Sequence, residues 1–306
     1  MAEYDPNTPV LVGVGAVQQK IDDYECALEP VALMEQALRD AAVDAGSARL
    51  LSLADEILVP KSLWSYTDPG RLLAVALGAH SATTLLAEFG ILQQSLLTRA
   101  CQRIKDGDAE VMLVAGGEAR FRALCAGKAG VEVFETPQNN AEPDITLRPQ
   151  DDMWSPVESD TGLGMPVGYY AILDSALRYK QGLSVSQHRD QMASMYARLS
   201  ELAADNPDAW SDQAASASHI REPSAANRML AFPYTKLHNS QWNVDQAAGL
   251  ILCSVGVAET LGIERSKWVF PQAFTESNAM SVVASRKDLG ASPGFRIAGQ
   301  AAMELA

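Results

Sequence analysis

Cysteine is scarce in this sequence, and cationic residues are outnumbered. The four cysteines, at positions 26, 101, 125 and 253, lie far apart and form no CxxC pair, which argues against a disulfide framework or a cysteine zinc site. The 24 lysines and arginines stand against 38 aspartates and glutamates, giving a net charge of −14. This charge repels phosphate backbones and argues against nucleic-acid binding, although a local cationic patch can hold an anionic cofactor.

Long apolar runs are also missing. No run of about 20 apolar residues occurs, so no membrane-spanning helix is predicted. The first nine residues, MAEYDPNTP, have neither the basic nor the apolar region of a signal peptide, and we expect a cytoplasmic protein. The four histidines show neither HExxH nor HxH spacing, so no metal site is predicted.

The sequence does contain alternating strand and helix patterns. Short apolar runs predict strands at residues 10–17, 56–60, 83–87 and 110–115, the first of them buried on both faces. Helical spacing lies between these runs, ending at Gly46 and Gly78 in the first two cases and covering residues 90–105 in the third. This alternation indicates an α/β fold with a mixed, mostly parallel sheet covered by helices.

The composition changes at about residue 120. Residues 135–161 are rich in Pro, Asp, Asn and Gln and predict an irregular excursion. Ser184 and Gln187 form a capping-box pattern that opens a helix. His188, in its first turn, is expected to be solvated. The helix carries Met192, Met195, Tyr196, Leu199 and Leu202, and methionines at this spacing are expected in a core. We interpret the region up to residue 228 as an inserted, largely helical lobe.

Two further elements are predicted after this lobe. Residues 245–261 are almost entirely apolar and predict a buried helix. Residues 268–273 predict the last strand of the sheet, and residues 293–306 predict another helix.

Two glycines follow the first strand pattern. Gly13 and Gly15 begin a GxGxxG dinucleotide motif, but residue 18 is Gln and the motif fails. We interpret both glycines as positions where the strand passes close to a neighbouring element.

Several segments, taken in order, resemble one known family. A helix is followed by the turn KDGDA and a strand that ends in Gly116-Gly117-Glu118, and a second stretch runs from Asn239 to Ser254. The phrases DPGRLLA at 68–74, GLGMP at 162–166 and NRM-FPY-KL at 227–237 accompany them. Together they resemble the thiolase superfamily, and within it a divergent bacterial acetyl-CoA acetyltransferase-like group. The resemblance covers essentially the whole chain.

The resemblance implies a thiolase-like layered α/β fold with an inserted, mainly helical loop domain. It places the core of the N-terminal half at residues 1–119 and 229–280, the loop domain at 120–228 and the start of a C-terminal half at 281–306. The implied function is action on acyl-CoA thioesters in lipid metabolism, as an acyltransferase that forms or cleaves carbon–carbon bonds. The alternatives are a non-catalytic acyl-CoA-binding or assembly subunit and a purely structural partner.

The family's nucleophilic cysteine lies at a helix N-terminus, and the resemblance places that position at Gly90. Residues 88–92 contain no Cys or Ser. Cys101 lies 11 residues further on, about 16 Å along a helix, and cannot substitute. The family's remaining catalytic groups, from its C-terminal half, have no counterpart here. The chain is therefore a fragment, is completed by another polypeptide, or has lost the chemistry; any remaining activity would rely on oxyanion stabilisation rather than a covalent cysteine.

The resemblance also implies residues that bind coenzyme A or acyl-CoA. These are Arg228, Lys236, Asn239 and Ser240, with Gly116 and Gly117 allowing close backbone approach at a strand end. The alternative interpretations are surface charges, turn residues and a plain strand-to-loop turn. His238 is either a general base or a packing residue.

By the same resemblance we expect a homodimer, with the apolar stretch Leu85–Ala87 as its interface, and a C-terminal half or accessory subunit acting in trans is an open alternative.

Overall fold

The computed structural model describes residues 4–139 and 141–306. Its strands are β1 (Pro9–Gln19), β2 (Glu56–Pro60), β3 (Thr83–Ala87), β4 (Val111–Ala119), β5 (Ile145–Leu147), β6 (Met229–Ala231), β7 (Tyr234–Thr235) and β8 (Asp245–Ser254). Its helices are α1 (Pro30–Ala45), α2 (Arg49–Ser52), α3 (Pro69–Leu77), α4 (Gln93–Lys105), α5 (Arg120–Lys128), α6 (Pro156–Asp160), α7 (Pro166–Lys180), α8 (Val185–Ala204), α9 (Ala217–Arg221), α10 (Val255–Thr260) and α11 (Pro293–Leu305). Single 3₁₀ turns lie at Lys236–His238, Arg265–Lys267 and Val283–Ser285.

The chain divides into two compact units. The first contains the described residues up to Pro149 together with 243–278 and 298–306, and the second contains 150–242 and 279–297.

A six-stranded sheet forms the centre of the first unit, in the order β1-β8-β4-β2-β3-β5. The strands β4, β2, β3 and β5 pair in parallel, whereas β8 pairs antiparallel with both β1 and β4. The predicted α/β class, with a mixed and mostly parallel sheet covered by helices, is confirmed.

The predicted buried helix over residues 245–261 is wrong. Residues Asp245–Ser254 form strand β8, and only Val255–Thr260 is helical, with the hydroxyl of Ser254 accepting a hydrogen bond from the Val257 amide. A continuous apolar run fits a strand buried on both faces as well as a buried helix. Pairing with β1 on one side and β4 on the other decides for the strand, because it satisfies both edges of its backbone.

Two other strand predictions need correction. The run at residues 10–17 is not buried on both faces, because Val14 is half exposed. Strand β1 also lies at an edge of the sheet. Residues 268–273 do not form a regular strand. Val269 makes one isolated bridge, its amide and carbonyl each 3.0 Å from the carbonyl and amide of Leu11.

Helix α1 lies directly on the backbone of β1. A Cβ atom added to Gly13 would stand 2.1 Å from the carbonyl oxygen of Ala41, and one added to Gly15 would stand 2.1 Å from that of Ala37. No side chain fits at these distances, so the interpretation of both glycines as close-approach positions is confirmed.

The residues predicted to begin or end helices α1, α3 and α8 are confirmed. Gly46 and Gly78 adopt φ of 77° and 76° after α1 and α3, as left-handed C-terminal glycines do. At the start of α3 the Asp68 carboxylate accepts the Arg71 amide at 2.9 Å, and Ser184 with Gln187 forms the capping box of α8.

The excursion predicted as irregular over residues 135–161 contains the strand β5 and the helix α6, and its first part is firmly held in the first unit. Thr136 donates to Glu29 from its amide and its hydroxyl, and Gln138 bonds the backbone of Asp68. The strand β5 then pairs with β3.

Two predictions about α8 are wrong. Met192 is buried, but Met195, Leu199 and Leu202 are 55%, 54% and 65% exposed. His188 is buried rather than solvated, and its Nε2 lies 2.6 Å from the Asp174 carboxylate on α7. Helical periodicity in the sequence shows which residues share a face, but not which face meets a neighbour.

The stretch Leu85–Ala87 does not form a surface on which a partner could pack. It is strand β3, which pairs with β2 and β5 on its two edges, and all three residues are buried in the first unit. The expected position of a dimer interface is therefore wrong.

Candidate functional site

A small hairpin in the second unit carries the predicted cationic residues. Strands β6 and β7 pair antiparallel, and the Lys236 amide donates to the Arg228 carbonyl at 2.9 Å. The two exposed cationic side chains therefore start from paired backbone positions. Within residues 4–139 and 141–306 neither side chain has an ion pair or hydrogen bond, so both are available to an anion.

Asn239 and Ser240 follow directly on the same hairpin. The Asn239 side-chain amide donates to the Thr235 carbonyl at 2.8 Å, and its backbone amide donates to the Lys236 carbonyl at 3.1 Å. Asn239 is thus a turn residue in this arrangement, whereas Ser240 is exposed. The structure brings these four predicted residues together on one short segment; their contact with coenzyme A stays a prediction.

Asn227, immediately before the hairpin, was missed as a site residue. It is fully buried, and its Nδ2 donates to the carbonyl oxygens of His219 at 2.8 Å and Ile220 at 3.0 Å. Its Oδ1 accepts the Leu237 amide at 2.9 Å. The only sequence signal for this role is the position of an asparagine directly before Arg228.

His238 lies buried beneath the hairpin. Its Nδ1 accepts the Thr235 amide at 3.2 Å and lies 2.9 Å from the Thr235 hydroxyl, which itself donates to the Ile220 carbonyl at 2.7 Å. Because Nδ1 accepts a backbone N–H, the proton of the neutral ring is on Nε2. That nitrogen is buried and has no hydrogen-bond partner in the described part of the chain.

The surroundings of His238 keep it neutral. Burial lowers its pKa below the usual histidine value, and the positive charge of Arg189 lowers it further, against a smaller opposing effect of Asp174. The rings of Tyr196 and Tyr234 meet the imidazole edge to face. A base acting through Nε2 would need that atom unprotonated, which the Thr235 amide disfavours; the general-base role stays a prediction.

Asp174 on α7 interacts with both helix α8 and the hairpin. Besides its contact with His188, its negative charge acts on the Tyr234 hydroxyl. Burial, followed by the Asp174 charge, raises the pKa of Tyr234. The Tyr234 hydroxyl therefore stays protonated near neutral pH.

Gly116 and Gly117 lie in the first unit, inside β4 rather than after it. A Cβ added to Gly117 would stand 2.9 Å from side-chain atoms of both Ala247 and Met34, and one added to Gly116 would stand 3.2 Å from Pro60. Close packing is sufficient to explain Gly117. A ligand contact at either glycine stays a prediction.

Gly90 occupies the turn between β3 and α4, with φ of 100°. Helix α4 starts at Gln93, and Leu92 before it provides no side-chain cap. Cys101 is buried on α4, and burial raises the pKa of its thiol to about 11. The turn at Gly90 thus has no thiol or hydroxyl at residues 88–92, and the amides of Glu88 and Ile91 already donate to the carbonyls of Leu147 and Glu88. Cys101, the one cysteine on the helix, is not a thiolate near neutral pH.

Two other kinds of feature are absent from the residues that the structure describes. No group of three or more His, Cys, Asp or Glu side chains there is arranged to hold a metal ion. None of the helices described is long and apolar enough to cross a membrane.

Comparison with known proteins identifies the fold. No protein-family model matches this sequence, and no curated protein matches it. Among solved structures, a monomeric SCP2-thiolase-like protein, type 1, from Mycobacterium smegmatis matches 99% of this chain with a TM-score of 0.78 and 26% identity. An Ltp2-ChsH2(DUF35) aldolase matches 97% with a TM-score of 0.67 and 17% identity. The dimeric peroxisomal thiolase of Saccharomyces cerevisiae matches 85% with a TM-score of 0.54 and 16% identity.

The resemblance to the thiolase superfamily seen in the sequence is therefore confirmed at the level of fold. The present chain spans 58% of the length of the SCP2-thiolase-like protein, 69% of the aldolase chain and 68% of the peroxisomal thiolase.

Proposed function

We propose that this thiolase-superfamily fold binds acyl-CoA thioesters and that its β6–β7 hairpin holds the phosphates of coenzyme A. The observation that carries the proposal is the match of 99% of the chain to an SCP2-thiolase-like protein. That protein is described as thiolase-like, and thiolase-type enzymes act on coenzyme A thioesters.

The hairpin supplies suitable chemistry for a phosphate. Arg228 and Lys236 are exposed, have no acidic partner among the residues that the structure describes, and start from paired backbone positions. Guanidinium and ammonium groups both bind phosphate, the first as a planar fork and the second as a point charge. With a net charge of −14 on the chain, the overall field repels anions, so binding depends on such a local pair.

The reaction class we propose is acyl transfer, with formation or cleavage of a carbon–carbon bond at a thioester. The turn at Gly90 has no thiol or hydroxyl at residues 88–92, so the proposed chemistry stabilises an oxyanion without a covalent acyl-cysteine. The same observation favours the second candidate, a subunit that binds acyl-CoA without turning it over.

Isothermal titration calorimetry with coenzyme A and acetyl-CoA tests the binding proposal. Arg228→Ala and Lys236→Ala should each weaken binding about tenfold, since a charge-assisted contact to phosphate is lost, and the wild-type affinity should fall with added salt. Arg198→Ala and Lys287→Ala are matched controls in the same unit, because both side chains are exposed and unpaired in the described ranges. Equal affinities for all four variants would remove the hairpin from the site, and no binding by the wild type would remove the function.

The remaining expectations about assembly and location are part of this proposal. We propose that activity requires a second polypeptide, which is either another copy of this chain or an accessory subunit in trans, in a cytoplasmic setting. The name of the Ltp2-ChsH2(DUF35) aldolase gives support for an accessory subunit. The description of the SCP2-thiolase-like protein as monomeric weighs against the homodimer.

A further inference from the structure

We infer that Asn227 is a positioning residue that holds Arg228 and Lys236 in place to bind one anionic ligand together. This inference rests on the proposed binding of coenzyme A by the hairpin, and it adds a residue that makes no contact with the ligand itself.

The hairpin is too short to hold its own shape. Strand β6 has three residues and β7 has two, with an irregular register between them. An isolated two-stranded hairpin is marginally stable in water even when it is longer. The separation of the two cationic side chains must therefore be imposed by what lies beneath the hairpin.

Asn227 is built to impose that separation. Its backbone continues directly into Arg228, while its Oδ1 holds the amide of Leu237, the residue after Lys236. Its Nδ2 is anchored to the carbonyl oxygens at the end of α9, including that of Glu222 at 3.2 Å. The fully buried side-chain amide of Asn227 thus connects the backbone at Arg228 and Lys236 to the end of α9.

Thr235 strengthens the same anchor from the other strand. It is fully buried, and its hydroxyl donates to the Ile220 carbonyl, which also accepts from Asn227. The two side chains therefore meet at one carbonyl oxygen and attach both strands of the hairpin to α9. Removing either side chain leaves its buried hydrogen-bond partners unpaired. The hairpin should then rearrange locally rather than keep its shape around a cavity.

A double-mutant cycle on coenzyme A affinity tests the inference. Asn227→Ala should weaken binding about tenfold in the wild-type background and should have almost no effect in the Arg228→Ala/Lys236→Ala background, because Asn227 acts through those two side chains. Thr235→Val, which keeps the side-chain volume, should show the same dependence with a loss of about threefold. Asn206→Ala is the control, since Asn206 is exposed and its side chain, within the described ranges, accepts a hydrogen bond only from the nearby Asp208 amide.

Each outcome has a distinct meaning. If Asn227→Ala weakens binding equally in both backgrounds, or in neither, the inference is wrong while the proposed function stands. If the wild type fails to bind coenzyme A, or the two cationic residues do not matter, the proposed function fails first. The calorimetric stoichiometry separates lost affinity from a lost folded fraction, and Thr235→Val decides the question if Asn227→Ala does not fold.

Discussion

The contact between α1 and β1 provides a quantitative test of the fold. In Gly15→Ala the new Cβ atom would lie 2.1 Å from the Ala37 carbonyl oxygen and 2.8 Å from the Ala41 amide nitrogen. Real Cβ atoms essentially never come closer than 3.0 Å, so helix and strand must separate by at least 0.9 Å, the difference between 3.0 and 2.1. Both obstacles are backbone atoms, and no rotamer change can relieve them.

The expected cost lies at the upper end of the range for overpacked cores, about 3 kcal/mol. With a urea dependence of about 3 kcal/mol per molar, the unfolding midpoint falls by about 1 M. Gly127→Ala is the matched control, because Gly127 lies in α5 with no atom within 4 Å of an added Cβ. That change should be neutral or stabilise by about 0.5 kcal/mol.

Urea unfolding combined with amide hydrogen exchange measures the effect. Protection in Gly15→Ala should fall in peptides of the first unit and stay unchanged in those from residues 150–242, since α1 and β1 belong to the first unit. A Gly15→Ala protein with wild-type stability would refute the close packing of α1 on β1, and with it the place of β1 beside β8.

Two further predictions concern ionisation. Because burial and Arg189 lower the pKa of His238 in the folded chain, the folded state loses stability as pH falls below the unfolded histidine value of about 6.5; this loss should be absent in His238→Gln, measured by thermal unfolding between pH 7.5 and 5. Burial raises the pKa of Cys101 to about 11 and that of Cys253 to about 12, so neither should be alkylated by iodoacetamide at pH 7.5 nor carry an acyl group after incubation with acetyl-CoA, as measured by peptide mass spectrometry. A stable acyl adduct on either thiol would overturn the proposal of chemistry without a covalent cysteine.

Local sequence rules predicted much of the fold because they describe interactions within a few residues. The ends of α1 and α3 follow from Gly46 and Gly78, because the left-handed conformation after a helix favours glycine. The start of α8 follows from the Ser184–Gln187 pair. The strands β2 and β3 were predicted at their observed bounds, because short apolar runs between helices have few alternatives in an α/β protein.

Predictions failed where the deciding partner is remote in the chain. Residues 245–254 form a strand because β1 and β4 provide hydrogen bonds on both sides of it. The apolar run in the sequence does not indicate which strands will pair with it. His188 was expected in solvent because its own helix is polar, whereas Asp174, 14 residues earlier, holds it in the interior.

For the candidate site, the sequence by itself determined which chemical groups are present: two cationic residues eight positions apart, a glycine where a nucleophile was expected, and no thiol or hydroxyl at residues 88–92. Only the tertiary structure decided that Arg228 and Lys236 start side by side, that Asn227 and Thr235 lie under them, and that the proton of His238 is on a buried nitrogen. The physical reason is that the sequence gives the type of each residue directly, whereas its hydrogen-bond partners and its burial depend on which distant segments the fold brings together.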